Sequence, residues 1–240
     1  MESTVDEIAE GIYRISTFAP QVGPSGLTFN QFLLADEEPL LFHTGHRSMF
    51  ASVRAAIDTV LPVERLHWIA FGHVESDECG AVNEFLAVAP HAQVAHGVAG
   101  CQVSLNEMCD RPPRPLSDGE VIPLGRLRVR HVDTPHVPHG WDARVLYEEV
   151  TSTLLCGDLF SHLGNGPALT EDDILGPTEH MEDLFGYSCL APSTPVTVQR
   201  LAEFAPRTLA LMHGSSFAGD CSAALNALAG SYRARTARAA

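Results

Sequence analysis

Four side chains that can ligate a metal ion lie close together in the segment 73–78, directly after the apolar run 66–71. These four residues are His73, Glu75, Asp77 and Glu78. A strand that ends in an irregular turn would let alternate side chains converge on one point. Imidazole mixed with carboxylates suits a redox-active ion such as iron or manganese better than an all-histidine site does. The segment therefore indicates a metal site that either hydrolyses a substrate or handles oxygen.

Three further candidate ligands stand where an apolar run or a proline-stiffened turn gives way to a polar residue. They are His139 in the segment 134–142, Asp158 after the run 154–156, and His213 after the run 209–212. A carboxylate such as that of Asp158 can bridge two cations held about 3.5–4 Å apart. Because all three follow predicted strands or turns, we expect them to meet the segment 73–78 at one edge of the fold.

Strand-like and helix-like segments are interleaved along the whole chain. Apolar patterning predicts strands at 11–16, 27–34, 39–43, 66–71, 93–95, 120–124, 127–132, 143–149, 153–156 and 208–212. Helical spacing predicts helices at 49–61, 80–89, 98–105, 192–204 and 223–232. The acidic turn 36–39 predicts a hairpin, and the proline-rich stretch 111–115 predicts a loop. Strands and helices in both halves favour an α/β fold, a four-layer αββα sandwich.

Length and charge limit the organisation and the partners. The 240 residues suffice for one sizeable core, so we expect a single domain over residues 1–232 and a basic, frayed tail over residues 233–240. The formal net charge is -15, which disfavours nucleic acid and anionic membranes as partners.

The six cysteines are scattered and form no C-x-x-C pair, which excludes a zinc ribbon and a thioredoxin motif. The polar start of the chain is unlike a secretory signal, and no apolar run approaches the roughly 20 residues of a membrane helix. These features favour a reducing cytoplasm with free thiols. Cys79 follows the ligand-rich segment, where a buried thiol is a better interpretation than a catalytic one.

The pattern H-x-E-x-D, a distant histidine, an aspartate after a strand and a His-Gly after a strand resembles the metallo-β-lactamase superfamily. Within it the pattern is most similar to the diiron branch, which comprises flavodiiron proteins and stand-alone oxygen-binding diiron proteins. The hydrolytic branch typically has H-x-H-x-D-H, and its second histidine is Glu75 here. Asn30 and the pair Thr44-Gly45 also match, so the resemblance covers nearly the whole chain.

The resemblance implies one ion held by His73, Glu75 and His139, and a second held by Asp77, Glu78 and His213. Asp158 would bridge them. His136 is the alternative to His139 as a ligand. The spacing to Asp158 and the turn that follows favour His139. The chain departs from the family pattern at two positions: Glu78 stands where histidine is usual, and His43 stands where aspartate is usual. The Glu78 departure leaves open a weak second site and a single ion.

The resemblance implies iron as the cofactor, two ions or one, with zinc or manganese as alternatives. We expect a non-haem iron protein that binds or reduces dioxygen or nitric oxide. Only 27 residues follow His213, too few for a flavodoxin domain, so we expect electrons from a separate electron-transfer protein. The alternatives are a metal-dependent hydrolase of an ester, thioester or lactone, and a non-catalytic oxygen or redox sensor. A homodimer is common in the family.

Some histidines and aromatic residues carry less specific expectations. His67, His91, His96 and His180 lack a ligand-like context, whereas His43, His46 and His162 could line the site. An apolar wall beside the metal is one interpretation of Trp141, Phe160 and Phe217, and a place in the core is the other.

Overall fold

Fourteen strands form two sheets in the residues that the structure, a computed structural model, describes, which are 2–239. The first sheet contains, in spatial order, β1 (Ser3–Ala9), β2 (Ile12–Ala19), β3 (Leu27–Leu34), β4 (Leu40–Phe42), β5 (Trp68–Ala70), β6 (Gln93–Gly97) and β7 (Arg114–Leu116). The second contains β12 (Leu169–Thr170), β14 (Ser216–Phe217), β13 (Thr208–Ala210), β11 (Thr153–Leu155), β10 (Arg144–Glu148), β9 (Arg128–Asp133) and β8 (Val121–Pro123).

The helices are distributed along the chain between these strands. They are α1 (Phe50–Ile57), α2 (Ser76–Cys79), α3 (Val82–Val88), α4 (Val98–Gly100), α5 (Asn106–Met108), α6 (Leu175–Phe185), α7 (Thr194–Ala202) and α8 (Cys221–Ala239). A π-helical stretch, Cys101–Leu105, joins α4 to α5. Short 3₁₀ turns lie at Arg47–Met49 and Val63–Arg65. No helix within residues 2–239 is both long and apolar enough to cross a bilayer.

Side-chain alternation along the strands builds the layers. On β3, Phe32 and Leu34 enter an apolar core shared by the two sheets, while Leu33 enters a second core under α1 and α3. On β11, Leu155 faces the shared core and Leu154 packs under α7 and α8. Since successive side chains point to opposite faces of a strand, both faces of each sheet are covered. The predicted αββα sandwich is confirmed.

Parallel strands at the centre of each sheet bring their carboxyl ends to one edge of the sandwich. β4 pairs with β5, and β5 with β6, in parallel, and in the second sheet β11 pairs with β13 in parallel. Loops that leave the carboxyl ends of neighbouring parallel strands lie side by side, which is where open α/β sheets place their sites. The predicted hairpin of β3 and β4 is also present.

Several elements differ from the sequence-based expectations. β1 and α6 were not predicted, because β1 is mostly polar as the edge strand of its sheet and α6 carries few buried residues. The predicted loop 111–115 contains the start of β7. The tail predicted to fray continues α8 as far as Ala239, and Arg235 pairs with Asp183 at 2.7 Å. Residues 1 and 240, at the two ends of the predicted domain and tail, lie outside the described residues.

The core under α8 should dominate the stability of this helix. Leu225 is fully buried, so Leu225→Ala should lower the free energy of unfolding by about 2–5 kcal/mol through the cavity it leaves. The ion pair of Arg235 with the exposed Asp183 is screened by water, so Arg235→Ala should cost less than about 1 kcal/mol. Urea unfolding measures both. Equal losses for the two variants would contradict this assignment of the core.

Candidate metal centre

Five segments deliver the seven predicted ligands to the same edge of the sandwich. His73 and Glu75 lie in the turn after β5, and Asp77 and Glu78 lie on the single-turn helix α2. The loop between β9 and β10 carries His139. Asp158 and His213 follow β11 and β13, respectively. The expectation that all these side chains meet at one edge of the fold therefore agrees with the geometry.

The first group contains His73, Glu75, His139 and Asp158, each of which offers one ligand atom within 4.8 Å of the others. Nε2 of His73 is 2.7 Å from Oε2 of Glu75, and Nε2 of His139 is 3.1 Å from the same oxygen. Oδ2 of Asp158 is 3.3 Å from Nε2 of His139. His139, rather than His136, is thus the histidine of this loop that joins the group.

The second group shares Asp158 with the first. Nε2 of His213 is 3.3 Å from Oδ2 of Asp77 and 3.4 Å from Oδ1 of Asp158. One oxygen of Asp158 therefore faces each group, which is the arrangement that a bridging carboxylate needs. The two groups are exposed to different extents, because the side chain of Glu75 is 49% exposed while that of His213 is 7% exposed.

Glu78 has contacts of a different kind from the other six. Its Oε2 accepts the backbone N–H of His73 at 2.6 Å, and its Oε1 lies 3.4 Å from both Nδ1 of His73 and Nε2 of His43. The sequence predicts that Glu78 ligates an ion together with Asp77 and His213. In the structure the side chain of Glu78 instead packs behind His73.

Backbone geometry holds the ligands in place. Gly140 has a φ of +79°, and a Cβ there would lie 2.8 Å from the His73 ring, so only glycine fits beside that ligand. Oδ2 of Asp142 accepts the N–H of Val74 at 3.1 Å and fixes the turn between His73 and Glu75. Nδ2 of Asn30 donates to the carbonyls of Leu211 and Gly214, on either side of His213. Asn30, which also matches the family pattern, is therefore a buried residue that holds the loop around His213 in place.

Electrostatics in the metal-free site favour bound protons. Burial opposes a charge on His73, but the carboxylates of Glu78 and Glu75 outweigh it and raise its pKa to about 12. Burial likewise opposes a charge on His213, whose pKa is raised to about 9 by Asp77 and Asp158. Burial and the charge of Glu78 raise the pKa of Asp158 to about 6. Hydrogen bonds from His139 and His73 lower the pKa of Glu75.

The donor set fits a pair of hard or borderline cations. Oδ1 of Asp77 and Oδ1 of Asp158 are buried and have no hydrogen-bond partner within the described part of the chain. Buried carboxylate oxygens rarely stay unpaired, because desolvating an anion is costly. His213 donates its Nδ1–H to the carbonyl of Thr28 at 2.7 Å, so that Nε2 keeps a lone pair for an ion. Three imidazoles with three carboxylates suit iron, manganese or zinc.

The aromatic residues beside the ligands are not the ones that the sequence indicates. The rings that flank the ligands are Phe29 against His213 (5.2 Å) and Tyr187 against His139 (6.0 Å). The proposed wall is not formed, because Phe160 and Phe217 belong to the core under α7 and α8 and Trp141 is 43% exposed. Tyr187 had no signal in the sequence, since it lies in a loop far along the chain.

The remaining histidines divide by their contacts. His162 accepts the N–H of Ser215 at its Nε2 and donates from Nδ1 to the carbonyl of Phe160, so it supports the loop after β13. His96, expected to be a bystander, is fully buried beside Asp142 and Phe71.

Cys79 is not poised for catalysis. Its buried thiol donates to the carbonyl of Glu75 at 3.1 Å, and burial raises its pKa to about 12. The thiolate that nucleophilic chemistry requires is therefore nearly absent at neutral pH.

Residues 27–214 match the model of a family described as ODP family beta lactamase. The chain belongs to this family. Curated proteins that are similar to this chain include a putative diflavin flavoprotein A 2 from Synechocystis sp., 26% identical over 199 residues, or 79% of this chain and 33% of that protein. The rubredoxin-oxygen oxidoreductase of Megalodesulfovibrio gigas is 21% identical over 206 residues, or 82% of this chain and 51% of that protein.

Solved structures show the same fold as this ODP family member. The metal-soaked flavodiiron core of Flv1 from Synechocystis sp. superposes with a TM-score of 0.82 at 17% identity, covering 97% of this chain and 61% of that chain. The solved structure confirms the fold, and the family match together with the curated relatives confirms the resemblance to the diiron branch of the metallo-β-lactamase superfamily. The chain spans about a third to a half of the length of the two curated relatives named above.

Metal binding should release protons and strengthen as the pH rises. At pH 7 the metal-free His73 and His213, with pKa values of about 12 and 9, hold protons that an ion must displace. The apparent affinity for Zn²⁺ should therefore rise roughly tenfold per displaced proton for each pH unit between pH 6 and 8. Calorimetric titration in two buffers with different ionisation enthalpies measures the released protons. Binding heats that do not depend on the buffer would contradict this electrostatic description.

Proposed function

We propose that this protein is a non-haem iron protein that binds or reduces dioxygen or nitric oxide. The observation that carries the proposal is the placement of Glu75, whose carboxylate lies within 3.1 Å of both His73 and His139. A carboxylate among imidazoles stabilises the higher oxidation state of a redox-active ion, which an all-imidazole site does less well. The relative named rubredoxin-oxygen oxidoreductase supports the same chemistry.

The residues would share two ions between them. His73, Glu75, His139 and Oδ2 of Asp158 would hold the first, and Asp77, His213 and Oδ1 of Asp158 would hold the second. Iron in this place would supply the electrons and the open coordination positions that dioxygen or nitric oxide requires. The half-exposed Glu75 marks the side from which a small molecule enters, since His213 and Asp158 are nearly buried.

The chain's own groups would orient the ligands and exclude water. Phe29 and Tyr187 place rings against His213 and His139, and these rings limit solvent on two sides of the site. The phenol of Tyr187 is buried without a partner among the described residues, and burial raises its pKa far above the usual value, so the group stays protonated. It is therefore available as a neutral hydrogen-bond donor beside His139.

Electrons would come from a separate electron-transfer protein. The relative named as a diflavin flavoprotein aligns with this chain over only 33% of its own length. A homodimer belongs to the same proposal. The hydrolase and sensor alternatives are outcomes of the experiment below, because the fold alone supports all three.

Anaerobic loading with Fe²⁺ tests the proposal. The protein should retain up to two irons per chain, gain a near-ultraviolet to visible band in air, and consume dioxygen or nitric oxide when an artificial reductant is supplied. Glu75→Gln keeps the size of the side chain but removes its charge, so iron retention should fall about tenfold or more. His136→Asn is the matched control, because His136 is exposed and asparagine tolerates its φ of +65°.

Distinct results would support the alternatives. Retention of zinc alone, with no band after iron loading and with turnover of an ester, thioester or lactone panel, would overturn the proposal in favour of a hydrolase. Iron-dependent spectra without consumption of either gas, together with an oxidation-dependent change in oligomeric state, would favour a sensor.

A further inference from the structure

The two departures from the family pattern, His43 and Glu78, are in contact. Nε2 of His43 lies 3.4 Å from Oε1 of Glu78, and both side chains are fully buried. The family usually has an acidic residue where His43 stands and a histidine where Glu78 stands. In this chain the acid and the imidazole have changed places between two positions whose side chains touch. We call His43 and Glu78 the exchanged pair.

Glu78 is built into the wall behind His73. Its Oε2 accepts the N–H of His73, and its Oε1 lies 3.4 Å from Nδ1 of the same residue. The carboxylate rests on Gly72, where a Cβ would approach Oε1 to 2.9 Å, and it lies near Gly157. Within residues 2–239 no carboxylate oxygen of Glu78 comes within 4 Å of a ring nitrogen of His213, which contacts Asp77 and Asp158 instead.

The contacts of His73 explain this placement. Its Nε2 faces Glu75 and, at 4.0 Å, Asp158, so this nitrogen points into the first group. A ligating imidazole usually donates its other N–H to a carboxylate or a carbonyl, which fixes the tautomer and the ring orientation. The carbonyl of Thr28 does this for His213, and Glu78 is the acceptor that faces Nδ1 of His73.

His43 makes the buried carboxylate tolerable. Its Nε2 lies 3.4 Å from Oε1 of Glu78, and its Nδ1 lies 3.3 Å from the carbonyl of Asn30. A neutral imidazole has a single N–H, and the tautomer that carries it on Nε2 directs that N–H toward the carboxylate. His43 has a φ of +67°, a left-handed conformation that is strained in a residue other than glycine. A fully buried carboxylate without such a partner would be strongly destabilising.

We propose that Glu78 is a positioning residue that orients His73 for the first ion, that His43 stabilises it, and that it does not ligate the second ion. This inference rests on the proposed function, because it needs ions at this site. The two ion positions are then unequal. The first has four protein donors and an oriented imidazole, while the second has only Asp77, His213 and Asp158.

Titration of the full chain with Zn²⁺ against a competing chelator tests the inequality. The wild-type protein should bind one ion tightly and a second at least tenfold more weakly. His139→Ala should remove the tight ion and His213→Ala the weak one, which assigns the two events. Two ions of equal affinity in the wild type would overturn the inference without any change at Glu78.

Glu78→Gln separates positioning from ligation. The variant keeps an acceptor for the N–H of His73 but loses the charge that faces Nδ1, so the tight ion should bind about 10–100-fold more weakly and the weak ion within about threefold of wild type. Loss of the weak ion alone would show that Glu78 is its ligand. Glu148→Gln is the control: Glu148 is fully buried and accepts the N–H groups of Val150 and Thr151, away from the site.

Restoring the family pattern tests the pair without any metal. In the metal-free protein, Glu78→His and His43→Asp should each lower Tm by roughly 5–15 °C, and the double variant should recover most of that loss because the contact is rebuilt in reverse. The double variant should also hold a second zinc at a concentration where the wild type holds one. Additive losses of Tm would overturn the pairing.

The outcomes separate this inference from the proposed function. A wild-type protein that binds no iron or zinc would end the proposed function, while the metal-free variants would still decide whether the exchanged pair exists. Normal iron loading and gas consumption, combined with loss of the weak ion alone in Glu78→Gln, would leave the proposed function standing and end the inference.

Discussion

Asp158 imposes the constraint on which the rest of the site depends. Its carboxylate is buried at the meeting point of the two sheets, with one oxygen toward His139 and the other toward His213. The charges of Glu78 and Asp77 repel its own, so an ionised Asp158 requires positive charge on both sides. Protonated imidazoles supply that charge in the metal-free protein, and cations would do so in the loaded one. The fold brings the carboxyl ends of the central parallel strands of both sheets together around this carboxylate.

Much of the architecture could be predicted from the sequence because its signals are local. Fully buried strands such as β3 and β11, and the amphipathic α7, have patterns that a short window reveals. The ligands follow strand ends, so their types and order were sufficient to expect a common edge. β1 escaped prediction because it forms the edge of its sheet and has a single buried residue, Ile8.

The directions of side chains were beyond the reach of the sequence. The sequence places Glu78 next to Asp77 but cannot show that its carboxylate turns back toward His73 while Asp77 faces His213. That difference depends on the single turn of α2 and on the space that Gly72 leaves. Tyr187 and Phe29 were missed for the same reason, since rings reach the site from loops and strands distant in the chain.

The four outermost strands of the two sheets determine how this molecule can associate. β1 presents Asp6 and Glu7, β12 is only two residues long, and β7 and β8 contain Pro115 and Pro123, which lack a backbone N–H to donate. Charge, shortness and proline each disfavour the addition of a further strand to an open edge. Continuation of either sheet from one molecule into another is therefore disfavoured, and helices and loops are the better surfaces for a partner.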